Sequence, residues 1–336
     1  MKKLFILFCF FYATFSFAQT KEKANLSDRP KLVVGIMVDQ MRWDFLYRYY
    51  DRYGSNGFKR MLSEGFSCEN TFIPYMQTVT ACGHASVYTG SVPAVNGIIG
   101  NNWYVRETGQ NMYCVKDTSA KTVGSATEPA GDMSPKNLLV TTMTDELRLA
   151  TNFQSKVIGV ALKDRGSILP AGKAGNAAYW YDVNTGNWIS STYYMNELPV
   201  WMKKLNDQKI VEKYYKQNWN TLYALNTYTQ STADDKAYEG SLAGQKTAVF
   251  PHVLTDYIGN NFGEIATTPF GNSMTMEIAK AVVENEKLGQ GKSTDFLAVS
   301  FSSTDYVGHR FGPNSVETED TYLRLDKELG EFFGFF

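Results

Sequence analysis

The chain predicts an α/β fold with a mainly parallel central sheet flanked by helices. Three observations carry this. Lys31–Val38, Lys156–Leu162 and Asp295–Phe301 are continuous apolar runs rather than alternating ones, which suits strands buried on both faces. Stretches with helical apolar spacing separate them, so strand, helix and strand recur. Each run also stops at a polar or charged residue, Asp39, Lys163 and Ser302, and ligands of such folds bind at the carboxyl ends of strands.

Residues 1–18 form a short basic start, Lys2 and Lys3, then an apolar run from Leu4 to Phe17, with Ser16 and Ala18 as the small residues of a cleavage site. That pattern predicts a secretory signal and an exported, periplasmic product, and the run is too short to span a bilayer. Residues 19–30 are polar and read as a leader. After the first strand, helical patterns cover Trp43–Tyr50 and Gly57–Leu62, followed by a strand-like Phe66–Phe72, a loop to Thr80 and a helix through Tyr88. Leu138, Val140, Met143, Leu147 and Leu149 give 137–150 a helical face. Residues 177–194 read as a hairpin turning at Asn184-Thr-Gly186, and they open a region to about 270, rich in Tyr, Asn, Thr and Lys, that reads as an inserted cap. A helix over 274–286, the strand 295–301 and a last helix from about Glu317, with Asn314 as its N-cap, complete the pattern. No internal repeat is present.

Lys and Arg total 33 against 34 Asp and Glu, a net charge of -1 that gives no general attraction for nucleic acid or an anionic membrane. Small-molecule substrates are the expected partners. Cys68, Cys82 and Cys114 lie beyond the predicted signal; their number is odd, no C-x-x-C occurs, and no chemistry is assigned to them.

The residues that can carry chemistry cluster at the predicted strand ends. Asp305 and His309 are four apart and can converge on one cation, with oxygen and imidazole donors that suit zinc; here they are read as a strand end running into a Gly-rich turn. The other reading of that pair is a capped turn with a solvated histidine. Thr80 lies where a loop enters a helix, so its hydroxyl is either an ordinary cap or a nucleophile over free backbone N–H groups. Lys163 and Arg165 are two apart on what reads as an extended strand end, which would send both side chains to one side, either as a clamp for phosphoryl oxygens or as two solvated charges.

Five stretches together resemble the alkaline phosphatase superfamily, and within it the bacterial periplasmic, phosphate-irrepressible enzymes of the PafA type. They are Val34-Gly-Ile-Met-Val-Asp39-Gln-Met-Arg42, Thr78-Val-Thr80-Ala-Cys-Gly-His-Ala85, Gly97-Ile-Ile-Gly-Asn-Asn102-Trp-Tyr104, Lys163-Asp-Arg165 and Ser303-Thr-Asp305-Tyr-Val-Gly-His309-Arg-Phe-Gly-Pro313. The resemblance implies a catalytic domain over 19–336 with a cap near 177–270. It implies two zinc ions, one held by Asp39 and the Thr80 oxygen, the other by Asp305 and His309. It further implies that Thr80 is phosphorylated in line and that Asn101, Lys163 and Arg165 grip the nonbridging oxygens of a phosphate monoester. The family completes its metal sites with an Asp-His pair and a later His; no Asp-His dipeptide occurs here, so the remaining ligands are expected beyond residue 336 and this chain alone is expected to hold zinc weakly and to hydrolyse little.

Rival readings are separated by single features. A sulfatase needs Cys or Ser in a C/S-x-P-x-R context, and Thr80-Ala-Cys-Gly-His84 offers neither the Pro nor the Arg. A serine hydrolase needs a G-x-S-x-G elbow, and none is present. A phosphodiesterase or nucleotide pyrophosphatase of the same superfamily shares the ligands and the threonine, but Lys163 with Arg165 suits a doubly charged monoester better. A non-catalytic anion-binding paralogue remains the reading from another class, and metal content separates it from an enzyme.

Overall fold

A computed structural model describes residues 29–336. The predicted signal peptide lies outside the described residues. The strands are β1 (Leu32–Val38), β2 (Asn102–Val105), β3 (Gln110–Tyr113), β4 (Thr122–Val123), β5 (Val157–Ala161), β6 (Ala177–Asp182), β7 (Asn187–Ser191) and β8 (Asp295–Phe301). Six of them form one sheet in the order β1-β8-β5-β6-β7-β4, while β2 and β3 pair as a separate hairpin. The β1, β8, β5 and β6 strands run parallel, and β7 and β4 add antiparallel pairs at one side.

The helices are α1 (Phe45–Arg48), α2 (Phe58–Glu64), α3 (Thr80–Thr89), α4 (Pro93–Asn96), α5 (Met143–Ala150), α6 (Asp164–Ala171), α7 (Val200–Asp207), α8 (Ile210–Tyr215), α9 (Phe270–Glu286), α10 (Ser303–Phe311) and α11 (Val316–Phe333). The period of two along β6 divides the interior into two layers. Ala177, Tyr179 and Tyr181 join a core with residues of α9 and α11, whereas Ala178 and Trp180 join a second core with Ala81 and Ala85 of α3 and Ile168 and Leu169 of α6. The sheet is thus sandwiched by helices, as its continuous apolar strands require. Gly159 of β5 is needed for this closeness, because a Cβ there would lie 2.1 Å from the Ser167 carbonyl oxygen of α6.

Several expectations are corrected. Phe66–Phe72 forms no strand, and Phe66 and Phe72 point into solvent, so their apolar content has no sheet to join. The predicted helix over 137–150 begins only at Met143, where Thr142 and Asp145 close a buried capping box that fixes the start. Ser315, whose hydroxyl accepts the Thr318 N–H, caps the last helix in place of Asn314. The hairpin 177–191 belongs to the central sheet, so the stretch set aside as a cap opens with sheet strands. Cys68, Cys82 and Cys114 are all free thiols, and burial raises the pKa of Cys82 and pushes that of Cys114 up to about 12. No described helix is long and apolar enough to cross a membrane.

Candidate active site

The register of the parallel strands sets the site. Val38 pairs with Phe301 and Ala161 with Ser300, so β1, β8 and β5 finish together and their next residues share one edge. The Asp39 N–H continues the ladder onto the Phe301 carbonyl at 3.1 Å, and Thr304 Oγ1 donates to the Asp39 carbonyl at 2.6 Å. Asp39 is therefore fixed by the backbone on both sides.

Lys163 and Arg165 are not on an extended strand end. Lys163 is the N-cap residue of α6, with β-region backbone, and Arg165 lies in the first turn of that helix. Lys163 crosses the strand ends: its Nζ donates to Asp39 Oδ2 at 2.7 Å, Asp305 Oδ2 at 2.5 Å and Thr80 Oγ1 at 3.2 Å. Its side chain is 2% exposed, and the Tyr306 ring lies under the ammonium at 4.7 Å. Burial alone would raise the Asp39 pKa, but the Lys163 charge and hydrogen bond outweigh it, with help from the Thr80 hydrogen bond, and hold the carboxyl below its ordinary value.

Thr80 is the first residue of α3, after an extended Val79, so it sits over the unsatisfied amides of the helix start instead of capping it. Its hydroxyl donates to Asp39 Oδ2 at 3.0 Å. Next to it the Ala81 N–H donates to Asn101 Oδ1 at 3.0 Å, which brings Asn101 to the same helix end.

The segment expected as a Gly-rich turn is the helix α10, so Asp305 and His309 lie one turn apart on one face, with His309 Nε2 3.2 Å from Asp305 Oδ1. The His309 side chain is 73% exposed. Gly308 leaves room for Gln40, since a Cβ there would lie 1.9 Å from Gln40 Oε1. Gln40 itself has a left-handed backbone, with φ of 59°, and its Nε2 donates to Asp305 Oδ1 at 3.0 Å. Among the described residues, no group of three or more His, Cys, Asp or Glu is gathered to hold a metal ion; the candidate donors come in pairs.

The geometry thus brings together Asp39, Thr80, Lys163 and Asp305, with Asn101 at the same helix start and His309 at the rim. Arg165 donates to the Tyr113 hydroxyl, one residue before Cys114, whose N–H meets the Asn101 carbonyl. Two residues escaped the sequence reading. Gln40 orients Asp305, and no pattern marks it. His84 is fully enclosed, with Nδ1 2.8 Å from the Thr80 carbonyl and Nε2 2.8 Å from Ser300 Oγ. Burial lowers its pKa, so a neutral ring ties the first turn of α3 to β8. Its place four residues after Thr80 on a helix was the available clue.

Residues 33–334 match the family described as type I phosphodiesterase / nucleotide pyrophosphatase. Among curated relatives, alkaline phosphatase PhoV of Synechococcus elongatus is 63% identical over 91% of this chain and 56% of its own length. A protein of Myroides odoratus named calcium-transporting ATPase is 59% identical over 92% of this chain and 57% of its own. The crystal structure of wild-type alkaline phosphatase PafA superposes with a TM-score of 0.90 at 52% identity, covering 91% of this chain and 59% of that one. A second PafA structure, also at 0.90, carries a threonine-to-serine change and changes of an asparagine, a lysine and an arginine to alanine. This chain spans a little over half the length of these relatives.

Proposed function

This chain belongs to the type I phosphodiesterase / nucleotide pyrophosphatase family, and we propose that within it the protein hydrolyses phosphate monoesters, with zinc and through a phosphothreonine. The observation that carries the reading is the convergence of one hydroxyl and two carboxylates on a single buried ammonium at the strand ends. The names of the relatives support it, and so does the PafA variant, whose four altered residues have the spacing of Thr80, Asn101, Lys163 and Arg165.

The donor set suits a divalent cation. The crevice already accepts positive charge, since Asp39, Asp305 and Thr80 all turn an oxygen to the Lys163 ammonium. Asp39 with the Thr80 oxygen would hold one ion, and Asp305 with His309 the other, a mixture of oxygen and imidazole that zinc prefers. Zinc bound there supplies Lewis acidity and compensates developing negative charge. Export to the periplasm is part of the proposal and rests on the apolar run at residues 4–17.

The chain's own residues then divide the work. Thr80 is aimed by its hydrogen bond to Asp39 and stands at a helix start, where an arriving anion is favoured. Its Oγ–P bond forms, with the hydroxyl proton lost to solvent, as the bond from phosphorus to the leaving alcohol oxygen breaks and that oxygen takes a proton from solvent; water later attacks phosphorus, releasing inorganic phosphate and restoring the Thr80 hydroxyl. Arg165 and Asn101 would bind the nonbridging oxygens, joined by Lys163 once a cation takes the Asp39, Asp305 and Thr80 oxygens that engage all three of its donors. Two cations match a dianionic monoester better than a diester, which separates this reading from the phosphodiesterase activity that the family description also contains.

The test is hydrolysis of p-nitrophenyl phosphate and of bis-p-nitrophenyl phosphate by the zinc-supplemented protein, with zinc quantified. Monoester turnover should exceed diester turnover. In an enzyme whose metal sites are complete, Thr80→Ala should lower monoester turnover by several orders of magnitude, and Thr80→Ser should retain part of it. Full turnover by the Ala variant would overturn the assignment of the nucleophile.

A further inference from the structure

The Arg165 guanidinium is anchored through a phenol. Arg165 Nη1 donates to the Tyr113 hydroxyl at 2.9 Å, and that hydroxyl donates onward to Asp164 Oδ1 at 2.6 Å. Asp164 Oδ1 also accepts the Arg165 backbone N–H at 2.6 Å, yet lies 3.7 Å from Nη1, so the short path between the charges runs through the phenol. Arg165 Nε is buried and has no hydrogen-bond partner among the described residues.

The chemistry of this relay differs from that of an ordinary ion pair. A carboxylate set directly against the guanidinium fork would take two donors and cancel most of its field. A neutral phenol fixes one nitrogen and leaves the remaining donors for an incoming anion. Burial raises the Tyr113 pKa above its ordinary value, and Asp164 adds to this, so the phenol keeps the proton it gives to Asp164.

Tyr113 is also placed to couple two groups. It is the last residue of β3 and the cross-strand partner of Asn102, and the next residue, Cys114, donates its N–H to the Asn101 carbonyl at 2.9 Å. The ends of the β2–β3 hairpin therefore hold Asn101 and Tyr113 side by side, and Asn101 in turn meets the start of α3.

We propose that Tyr113 is a positioning residue that fixes the free donors of Arg165 relative to Asn101, and thereby sets the affinity of the site for a terminal phosphoryl group. The proposal rests on the phosphatase reading above and names a residue through which that reading's specificity is built. Replacing the phenol by a phenyl ring keeps the packing but strips Nη1 of its acceptor and Asp164 Oδ1 of a donor.

The experiment uses Tyr113→Phe, with inorganic phosphate as the probe in isothermal titration of the full zinc-supplemented chain. Loss of a hydrogen bond to a charged group should weaken phosphate binding by on the order of tenfold. In an Arg165→Ala background the same change should have almost no effect, because nothing is left to position. Equal loss in both backgrounds overturns the proposal. A second arm records the Arg165 Nε–H resonance by nitrogen-15 NMR: in Tyr113→Phe it should shift and exchange with water at least several-fold faster, and an unchanged resonance also overturns the proposal. This arm needs neither turnover nor phosphate binding. If the unsubstituted chain binds no phosphate, the site as this chain presents it does not take a phosphoryl group, while the resonance still decides whether Tyr113 fixes Arg165.

Discussion

Two clusters of buried carboxylates stabilise themselves in opposite ways. At the strand ends, Asp39 and Asp305 share the Lys163 ammonium and lie at a partly open rim, with side chains 10% and 15% exposed. At the start of α11, Glu317 and Glu319 are fully enclosed. Glu319 pairs with Arg52 at 2.8 Å, whereas Glu317 faces His252, whose Nε2 is 2.9 Å away. Burial, reinforced by Asp234 and Glu239, pushes Glu317 up to about 9, and burial pushes His252 down to about 4. Both are therefore neutral near pH 7, and the Glu317 carboxyl donates to His252. A carboxylate that finds a cation stays ionised, whereas one sealed in without a cation keeps its proton. The contrast separates the Asp39–Lys163–Asp305 cluster from the Glu317–His252 pair.

The sharpest way to break this comparison is Lys163→Met. It leaves two carboxylates facing one another without a counter-charge, and removing one partner of a buried ion pair costs about 3 to 5 kcal/mol. Urea denaturation should show a loss of that order, and adding Asp39→Asn should recover part of it. A loss below about 0.5 kcal/mol would show that the pair carries no net stability and is kept for function alone.

The strand ends of this site were legible because each strand is a continuous apolar run; β5 and β8 are buried throughout, whereas β1, at the sheet edge, is only half-buried along its length, and Asp295–Phe301 is found with the predicted bounds. Asp39 and Thr80 followed from those runs and their flanking loops. Helix α10 was not legible, since Gly308 and Gly312 around His309 read as turn residues, whereas Gly308 serves a helix pressed against Gln40. Lys163 and Arg165 were placed correctly at a strand end but with the wrong local geometry, because nothing in Lys-Asp-Arg announces a helix start. Tyr113 and Gln40 act only through contacts between distant segments, for which one sequence carries no pattern. The last helix was expected from about Glu317, but the burial of its acidic start depends on the 219–252 segment folding over it, with Trp219 and His252 fully enclosed.

A smaller effect tests the second cluster. The folded-state pKa of Glu317, about 9, lies above its ordinary 4.5, so its contribution to stability is complete below about pH 4.5 and is lost as pH rises through 9. His252 shifts the other way, from 6.5 to about 4; its contribution is complete above pH 6.5 and is lost as pH falls through 4. Between pH 6.5 and 9 only the Glu317 contribution changes within this pair. Glu317→Gln keeps a donor to His252 Nε2 and cannot ionise. Denaturation midpoints across that window should therefore fall for the parent relative to the variant, with the variant the more stable at pH 9. Parallel pH profiles would show that Glu317 is ionised after all and that the two clusters do not differ.

The smallest expected effect comes from an ion pair with the same chemistry and no burial. Arg60 Nε lies 3.0 Å from Glu64 Oε2 on α2, with side chains 43% and 66% exposed. Water screens the pair, so its contribution should be at most a few tenths of a kcal/mol. Two further terms act against it. The basic residue precedes the acidic one, the weaker order for an i,i+4 pair on a helix, and Glu64 ends α2, where the helix dipole disfavours negative charge. Glu64→Gln should accordingly change stability by no more than about 0.3 kcal/mol, with either sign, and salt should shrink even that. Denaturation in low salt and in 1 M salt measures it. A loss near that of Lys163→Met would mean that burial is not what distinguishes the strand-end cluster, and that ion pairing alone accounts for its stability.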